Sequence, residues 1–264
     1  MTLSSSTVKS LRRVFQQAFV VHDIAESLVS FDADTPAQDV LQLMHAQRLE
    51  IVGLRIDGRM RGYIERAELA DGTCADYMQP FVDEIVILDS SPIPEVVLRL
   101  RQRRRLFVSV LGQVGGIVSR SDLQKPPVRM WLFGMVTLIE MRFNHLIERC
   151  CDEESWKEYL SAGRIQKAEQ LLEERKRRSQ ELTLADCLQF SDKAQIVARQ
   201  TELRKMTRFE SRNQLEKAAK MLEKLRNNLA HSQDIISSDW EAIVALSENL
   251  DSVLDGPPGL QPQD

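Results

Sequence analysis

The sequence has few cysteines and no long uninterrupted hydrophobic run. Four cysteines occur in 264 residues, and they show neither the spacing of a zinc site nor the framework of a secreted disulfide protein. Cys150 and Cys151 are adjacent, where a disulfide would close only a strained ring. We therefore expect reduced thiols, no bound metal and a cytoplasmic protein.

The hydrophobic segments are also too short for a leader or a membrane anchor. An apolar run at residues 18–21 follows two arginines but ends at His22 and Asp23, too early for the core of a signal peptide. No stretch approaches the roughly 20 residues that a transmembrane helix needs. The sequence thus predicts no contact with a membrane.

Excess positive charge is absent as well. The net charge is −4, with 28% charged and 43% hydrophobic residues, a balance typical of a globular protein. It argues against a protein that coats nucleic acid without preference, so any RNA contact must be local. A length of 264 residues favours two domains.

What the first half does contain is an internal repeat. Residues 61–69 align with residues 115–123 at a constant offset, so that Gly62 corresponds to Gly116 and Leu69 to Leu123. Before each segment the same signals follow one another: a turn with proline, an amphipathic stretch, and two β-rich segments around a short turn. One supersecondary unit is therefore used twice.

The strands and turns of each unit can be predicted from the pattern. The first unit predicts strands at Ile51–Ile56 and 62–64, and Asp57-Gly58 between them is a strong hairpin signal. The second unit predicts strands at 106–110 and 114–118.

This repeat resembles a tandem pair of CBS domains, in which two β-α-β-β-α units stack pseudo-symmetrically and bind adenosine-containing ligands between them. The resemblance predicts an α+β regulatory domain over residues 1–126. It implies an adenine nucleotide (ATP, ADP, AMP or a related molecule) as a regulatory ligand.

The resemblance also implies a site. In CBS-like repeats a Ser or Thr after the glycine strand and an Asp three residues later hold the ribose hydroxyls, and Ser119 and Asp122 match those positions. Arg120 between them is expected to reach a phosphate, and Ser90 or Ser91 to approach the base or ribose. The alternative is that Ser119 and Asp122 form an ordinary helix N-cap, for which both are suited.

The first repeat departs from this pattern. Glu65 replaces the hydroxyl residue and Glu68 replaces the aspartate, and a carboxylate at position 65 would repel a phosphate. We expect at most one conventional nucleotide site per chain, in the second repeat.

The strand signals end at Pro126-Pro127, which predict an extended linker. Residues 130–147 are apolar almost all round, which is typical of a helix buried in a core or a dimer interface. The pattern beyond them predicts an all-α domain over residues 127–254 and a disordered tail over 255–264.

Near the end of this helical half, Arg226, Asn227 and His231 join a fixed cation, a carboxamide and an imidazole. A histidine transfers protons near neutral pH, and a guanidinium stabilises charge on a phosphoryl oxygen. The spacing, an Arg, a polar residue, three further positions and a His, resembles the signature of the HEPN family of all-α ribonucleases and nucleotide-binding domains.

The HEPN resemblance implies metal-independent RNA cleavage. Arg226 would stabilise the phosphoryl charge, His231 would act as general acid or base, and Asn227 would orient the phosphate. The products would be a 2′,3′-cyclic phosphate and a 5′-hydroxyl. The alternative is that these are polar residues on a solvated helix.

Helical geometry sets a condition on this site. At ~100° per residue, Arg226 and His231 lie roughly 140° apart and cannot both face one atom. In HEPN-like proteins a symmetric dimer brings the two motifs into one cleft, so the resemblance implies a homodimer. A basic stripe leads to His231 and is expected either to track RNA phosphates or to pair with Glu216 and Glu223; it consists of Lys217, Lys220, Lys224 and Arg226.

Three functions follow and stay open at this point. The first is a HEPN-type endoribonuclease regulated by an adenine nucleotide on the CBS pair. The second is a non-catalytic nucleotide sensor whose helical half dimerises or grips a protein. The third is a HEPN-type partner of a separate nucleotidyltransferase.

Overall fold

A computed structural model of the protein describes residues 10–255 except 12, 16 and 208, and leaves out the side chains of 152, 153 and 249–255. The chain forms two compact units. One spans Phe19–Pro127, and the other runs from Val128 onward and includes the N-terminal segment to Ala18. The segment before Phe19 therefore groups with the helical half and not with the repeats. Beyond Asp255, the tail expected at 255–264 lies outside the described residues.

The unit Phe19–Pro127 contains two sheets and two α-helices. Its helices are α1 (Ala37–Ala46) and α2 (Ile93–Gln102). Its strands are β1 (Glu26–Ser27), β2 (Ser30–Asp32), β3 (Ile51–Ile56), β4 (Arg59–Glu65), β5 (Gln79–Pro80), β6 (Val86–Leu88), β7 (Arg105–Val110) and β8 (Gln113–Ser119).

The two sheets have the same strand order. One runs β2-β3-β4-β5 and the other β6-β7-β8-β1. In each, a helix connects the first two strands, which pair in parallel, and the other neighbours are antiparallel. The short strand before each repeat pairs with the sheet of the other repeat, β1 with β8 and β5 with β4. This reciprocal exchange interlocks the repeats.

The register confirms the repeat residue by residue. Ile51 pairs with Glu65 in the first repeat and Arg105 with Ser119 in the second, and the ladder shifts at equivalent points, after Leu54 and after Val108. Both hairpins turn through left-handed backbone, with φ of 52° and 72° at Asp57-Gly58 and of 50° and 78° at Leu111-Gly112. The predicted strands and the predicted hairpin are thus confirmed.

Apolar clusters pack the repeats of this unit. Helix α1 packs on the first sheet, where Val40 and Met44 meet Val52, Leu54 and Ile64. A second cluster joins the repeats, because Ile51 of the first packs with Phe107 of the second, and the ring of Tyr63 lies 4.6 Å from that of Phe107. The first cluster therefore packs a helix on its sheet, and the second joins the two repeats.

Two predictions about helix positions were wrong. The second helix of each repeat is only a 3₁₀ turn, Arg66–Glu68 and Arg120–Gln124, because Gly72 at φ 111° and Pro126 redirect the chain shortly afterwards. Pro126-Pro127 is not an extended linker but opens a long helix. A proline is tolerated in the first helical turn, where its missing N–H would have no partner.

The second unit shows helices and no strand over the described part of residues 128–255. The long helix α3, buried along most of its surface as predicted, leaves Met130 and Phe133 60% and 47% exposed. Helix α5 packs against α7. The helices are α3 (Pro126–Cys150), α4 (Ala162–Arg177), α5 (Phe190–Arg199), α6 (Thr201–Lys205), α7 (Arg212–Ala230) and α8 (Ile236–Asp255).

Among the described residues, none of the helices combines the length and the apolar character that crossing a lipid bilayer requires.

The core of the first sheet can be tested with matched leucine truncations. Leu54 is fully buried and Leu43 on α1 is 43% exposed. We expect Leu54→Ala to lower the free energy of unfolding by about 2–5 kcal/mol, since it removes packed methyl groups and leaves a cavity. Denaturant titration of both variants gives the comparison. Equal losses from Leu54→Ala and Leu43→Ala would contradict this packing.

Candidate functional site

A cavity of about 310 Å³ opens where β3 and β7 begin and β8 ends. The pairing of Arg105 with Ser119 places the start of β7 beside the end of β8. The volume lies near the lower end of ligand pockets, roughly 300–1,000 Å³. Residues of both repeats line it: Glu50, Ile51, Arg104, Arg105, Ile117, Ser119, Arg120 and Ser121.

Ser119 lies in this lining, whereas Asp122 supports it from behind. The Oδ2 atom of Asp122 accepts hydrogen bonds from the Ser119 amide at 2.8 Å and from its Oγ at 2.9 Å. The Ser119 hydroxyl also lies 2.7 Å from that of Ser121. The two predicted ribose ligands are therefore in contact, but they form the capping arrangement that was the alternative interpretation.

The other oxygen of Asp122 is engaged as well. Its Oδ1 lies 2.8 Å from Nζ of Lys125, which also donates to the Ile24 carbonyl at 2.7 Å and to Glu26 at 2.8 Å. Burial lowers the pKa of the Lys125 ammonium, but its hydrogen bonds to Asp122 and Glu26 outweigh this and raise the pKa overall. Lys125 thus ties the end of β8 to the exchanged strand β1.

Arg120 lines the cavity but is engaged at a helix end. Its Nε donates to the Leu100 carbonyl at 2.9 Å and its Nη2 to the Arg101 carbonyl at 3.0 Å, where the end of α2 carries partial negative charge. A phosphate would have to share this guanidinium with α2. Ser90 and Ser91, expected to approach the base or ribose, are not in the lining.

Two arginines to which the sequence analysis assigned no role also line the cavity. Arg104 is exposed and makes no hydrogen bond or ion pair within the described part of the chain. The Arg105 side chain is only 15% exposed, with Nη1 3.5 Å from Glu65 and Nη2 3.8 Å from Glu50. Its Nη1 is buried without a hydrogen bond among the described residues. The strand register was the signal that could have revealed both.

The equivalent corner of the first repeat carries carboxylates. The repeat offset relates Ser119 to Glu65, and Glu65 faces Arg105 at 3.5 Å. Glu68, the counterpart of Asp122, is exposed and accepts a hydrogen bond from Gln79 instead of capping a strand end. At the position of Ser119, which lines the cavity, the first repeat therefore has Glu65 in an ion pair with Arg105.

In the helical unit, the structure separates the members of the Arg-Asn-His motif. Arg226 and Asn227 lie in the last turns of α7, and His231 is its C-cap residue. The Arg226 side chain is 41% exposed, and its Nη2 lies 3.9 Å from Glu140 on α3. Asn227 and His231 are exposed and, being four residues apart, share one side of the helix.

The end of α7 is fixed by a residue that sequence reasoning did not single out. Nη2 of Arg129 donates to the carbonyls of Asn228 and Leu229 at 3.0 and 3.1 Å, and Nη1 donates to that of Gln233 at 3.0 Å. Asn228 in turn donates to the buried Asp239 at 2.7 Å. These bonds satisfy carbonyls that a helix end leaves unpaired and set the position of His231.

The lysines of α7 differ in their partners. Lys224 donates to the Ser238 carbonyl at 2.8 Å. Lys217 and Lys220 are exposed and make no ion pair within the described part of the chain. Glu216, the expected partner, pairs with Arg212 at 2.7 Å. Two of these cations are therefore available to an external anion.

No protein-family model matches the chain, and no curated protein matches it. Among solved structures, CBSX2 in complex with AMP is 20% identical, with 40% of this chain and 93% of that chain covered and a TM-score of 0.36. The CBS domain of a bacterial CNNM/CorC family Mg²⁺ transporter in complex with ATP is 15% identical, with 48% and 97% covered and a TM-score of 0.36. An uncharacterized conserved protein from Pyrococcus horikoshii is 17% identical, with 40% and 90% covered and a TM-score of 0.36. At these TM-scores the likeness carries no functional assignment.

The capping role of Asp122 predicts a stability effect confined to the second repeat. Asp122→Ala removes the acceptor of the Ser119 amide and the partner of Lys125, and we expect it to lower the free energy of unfolding by about 1–2 kcal/mol. Glu68→Ala at the equivalent exposed position should change it by less than about 0.5 kcal/mol. Urea unfolding of the two variants measures both values, and an equal effect would argue against the cap.

Proposed function

We propose that residues 19–127 form a CBS pair that senses an adenine nucleotide in the cavity at the end of β8. The observation that carries this proposal is the lining of the cavity, which sets Ser119 beside Arg104 and Arg105 at a junction of the two repeats. Two interlocked sheets of equal order and register support it.

Each lining group has a role in this proposal. Arg104 binds the phosphate, because an arginine fork matches phosphate oxygens and this one has no competing partner among the described residues. Arg105, which lines the cavity and pairs with Glu50 and Glu65, adds positive charge to it. Ser119 Oγ binds a ribose hydroxyl, while Asp122 positions Ser119 and Arg120 adds positive charge. Ile51 and Ile117 supply apolar contact for the sugar and base.

The proposed cellular setting follows from the ligand and the thiols. Cys74, Cys150, Cys151 and Cys187 are all free, as expected in a reducing compartment, and adenine nucleotides are abundant there. A cytoplasmic location is proposed on these grounds.

The phosphate role of Arg104 predicts a binding defect. Arg104→Ala should weaken AMP binding by about tenfold or more, because a hydrogen bond to a charged group contributes roughly 1.5–3 kcal/mol. Isothermal titration calorimetry of AMP into the full chain measures the change. Arg61→Ala, which removes an exposed arginine of β4 outside the cavity lining, should bind AMP as the wild type does. Unchanged affinity in Arg104→Ala would contradict this role.

We further propose that the helical unit is a HEPN-type endoribonuclease that acts as a homodimer. The favouring observation is an exposed ridge along α7 that ends at the histidine. Its members recur at intervals of three and four residues, which places them on one helical face: Lys217, Lys220, Lys224, Asn227 and His231. Lys217 and Lys220, which make no ion pair among the described residues, suit the phosphates of a single RNA strand.

Arg226 is not on this ridge, but only a weak ion pair keeps its side chain directed away from the ridge. Its pairing with Glu140 spans 3.9 Å at a side chain that is 41% exposed, and such pairs contribute only about 0–1 kcal/mol. A phosphate can therefore draw the guanidinium from Glu140. A symmetric dimer would set the His231 of one subunit opposite the Arg226 of the other, and the exposed Met130 and Phe133 of α3 offer apolar surface for such an interface.

In the proposed reaction, His231 removes the proton of a 2′-hydroxyl, which attacks the adjacent phosphorus and expels the 5′-oxygen of the next nucleotide. A proton then returns to that leaving oxygen. Arg226 stabilises the negative charge on the phosphoryl oxygens, and Asn227 donates a hydrogen bond to one of them. The cut leaves a 2′,3′-cyclic phosphate and a 5′-hydroxyl.

This proposal predicts that wild-type protein cleaves a mixed RNA pool in EDTA. His231→Ala should cut at least about a hundredfold more slowly, since positioned proton transfer contributes roughly 10²–10⁴-fold. The assay, run with and without AMP and ATP, follows 2′,3′-cyclic phosphate ends. His45→Ala, at an exposed histidine of α1, is the control. No cleavage by wild type in any condition would favour the non-catalytic sensor.

A further inference from the structure

We infer that Glu50 makes the cavity selective for a nucleotide with one phosphate over its di- and triphosphate counterparts. The inference rests on the proposed nucleotide site and names the ligand that this site prefers. It concerns a carboxylate to which neither the repeat pattern nor the capping pair assigns a role.

Glu50 is the one acidic residue among the described residues that line the cavity. Its backbone is fixed, because its carbonyl accepts a hydrogen bond from the Arg66 amide at 2.9 Å. The side chain is 66% exposed, and its Oε2 lies 3.8 Å from Nη2 of Arg105. The carboxylate therefore stands at the open side of the cavity and not behind its wall.

The internal repeat shows that only the first repeat has a negative charge at this position. Glu50 and Arg104 are equivalent by the repeat offset, and each directly precedes the first residue of its strand, Ile51 in β3 and Arg105 in β7. One cavity thus contains a cation from the second repeat and an anion from the first at matching positions. A polyphosphate chain that extends from Arg104 toward the first repeat therefore meets the carboxylate of Glu50.

The charges on the lining suit a single phosphate. A phosphate monoester carries about −1.5 to −2 charges at pH 7. Arg104 offers one charge without a partner among the described residues, Arg105 is shared with Glu50 and Glu65, and Arg120 is shared with the carbonyl end of α2. Each added phosphate brings another negative charge toward Glu50, and like charges a few ångströms apart repel even at the surface of a protein.

The test is Glu50→Gln, which keeps the shape of the side chain and removes its charge. We expect wild type to bind AMP at least about tenfold more tightly than ATP. Glu50→Gln should tighten ATP binding by about tenfold and ADP binding by less, and should change AMP binding by no more than about threefold. Calorimetric titration of the full chain with AMP, ADP and ATP, without added metal, gives the dissociation constants.

Asp57→Asn is the matched control. It removes the same charge at the hairpin on the other end of β3, about 20 Å away at the rise of a strand, and Asn tolerates the left-handed backbone of that position. It should leave all three affinities unchanged.

The outcomes separate this inference from the function on which it rests. If wild type binds ATP as tightly as AMP, or if Glu50→Gln shifts both by the same factor, the role of Glu50 is wrong and the nucleotide site stands. If none of the nucleotides binds to wild type, the proposed function itself is overturned and the selectivity with it. Far-ultraviolet circular dichroism of Glu50→Gln and a matching unfolding midpoint exclude misfolding as the cause of any change.

Discussion

The candidate site depends on the hydrogen bonds and the ion pair that the carboxylate of Asp122 makes. One oxygen holds the amide and hydroxyl of Ser119, and the other binds Lys125, which also binds Ile24 and Glu26. The end of β8 and the exchanged strand β1 are thereby fixed to one buried group. Because a half-satisfied buried carboxylate is costly, this network favours one arrangement of the cavity wall.

The two repeats share one backbone arrangement but carry different residues at equivalent positions. The repeats share their strand order, register and hairpins, so the fold places equivalent positions in equivalent surroundings. At those positions the first repeat has Glu50, Glu65 and Glu68 where the second has Arg104, Ser119 and Asp122. The backbone is pseudo-symmetric, but the charge is reversed between Glu50 and Arg104 and lost between Glu65 and Ser119, which is why the two repeats differ as sites.

Much of the β-rich unit could be predicted from the sequence because its signals are local. Alternating apolar residues and Asp57-Gly58 fix the strands and the turn. The helix after each repeat was not predictable in this way, since the length of a helix depends on where the chain turns next. The prediction of an extended linker at Pro126 was wrong for a related reason, because a proline can equally well end an extended segment or open a helix.

The site was predicted less well than the fold. The residues that the CBS resemblance names, Ser119 and Asp122, lie together, but spacing alone does not tell whether they cap a chain end or bind a ligand. Arg104 and Arg105 have no local signature, and only the pairing of β7 with β8 places them in the cavity. In the helical unit the ridge that ends at His231 follows from helical periodicity, whereas Arg129, far from α7 in the sequence, requires the tertiary fold.

The most direct test of the nucleotide site is a crystal structure of the full chain grown with AMP. Our account predicts AMP in the cavity at the end of β8, with its phosphate within hydrogen-bond distance of Arg104 and its ribose beside Ser119. A nucleotide bound at Glu65 and Arg66 of the first repeat, or an empty cavity at saturating AMP, would contradict it.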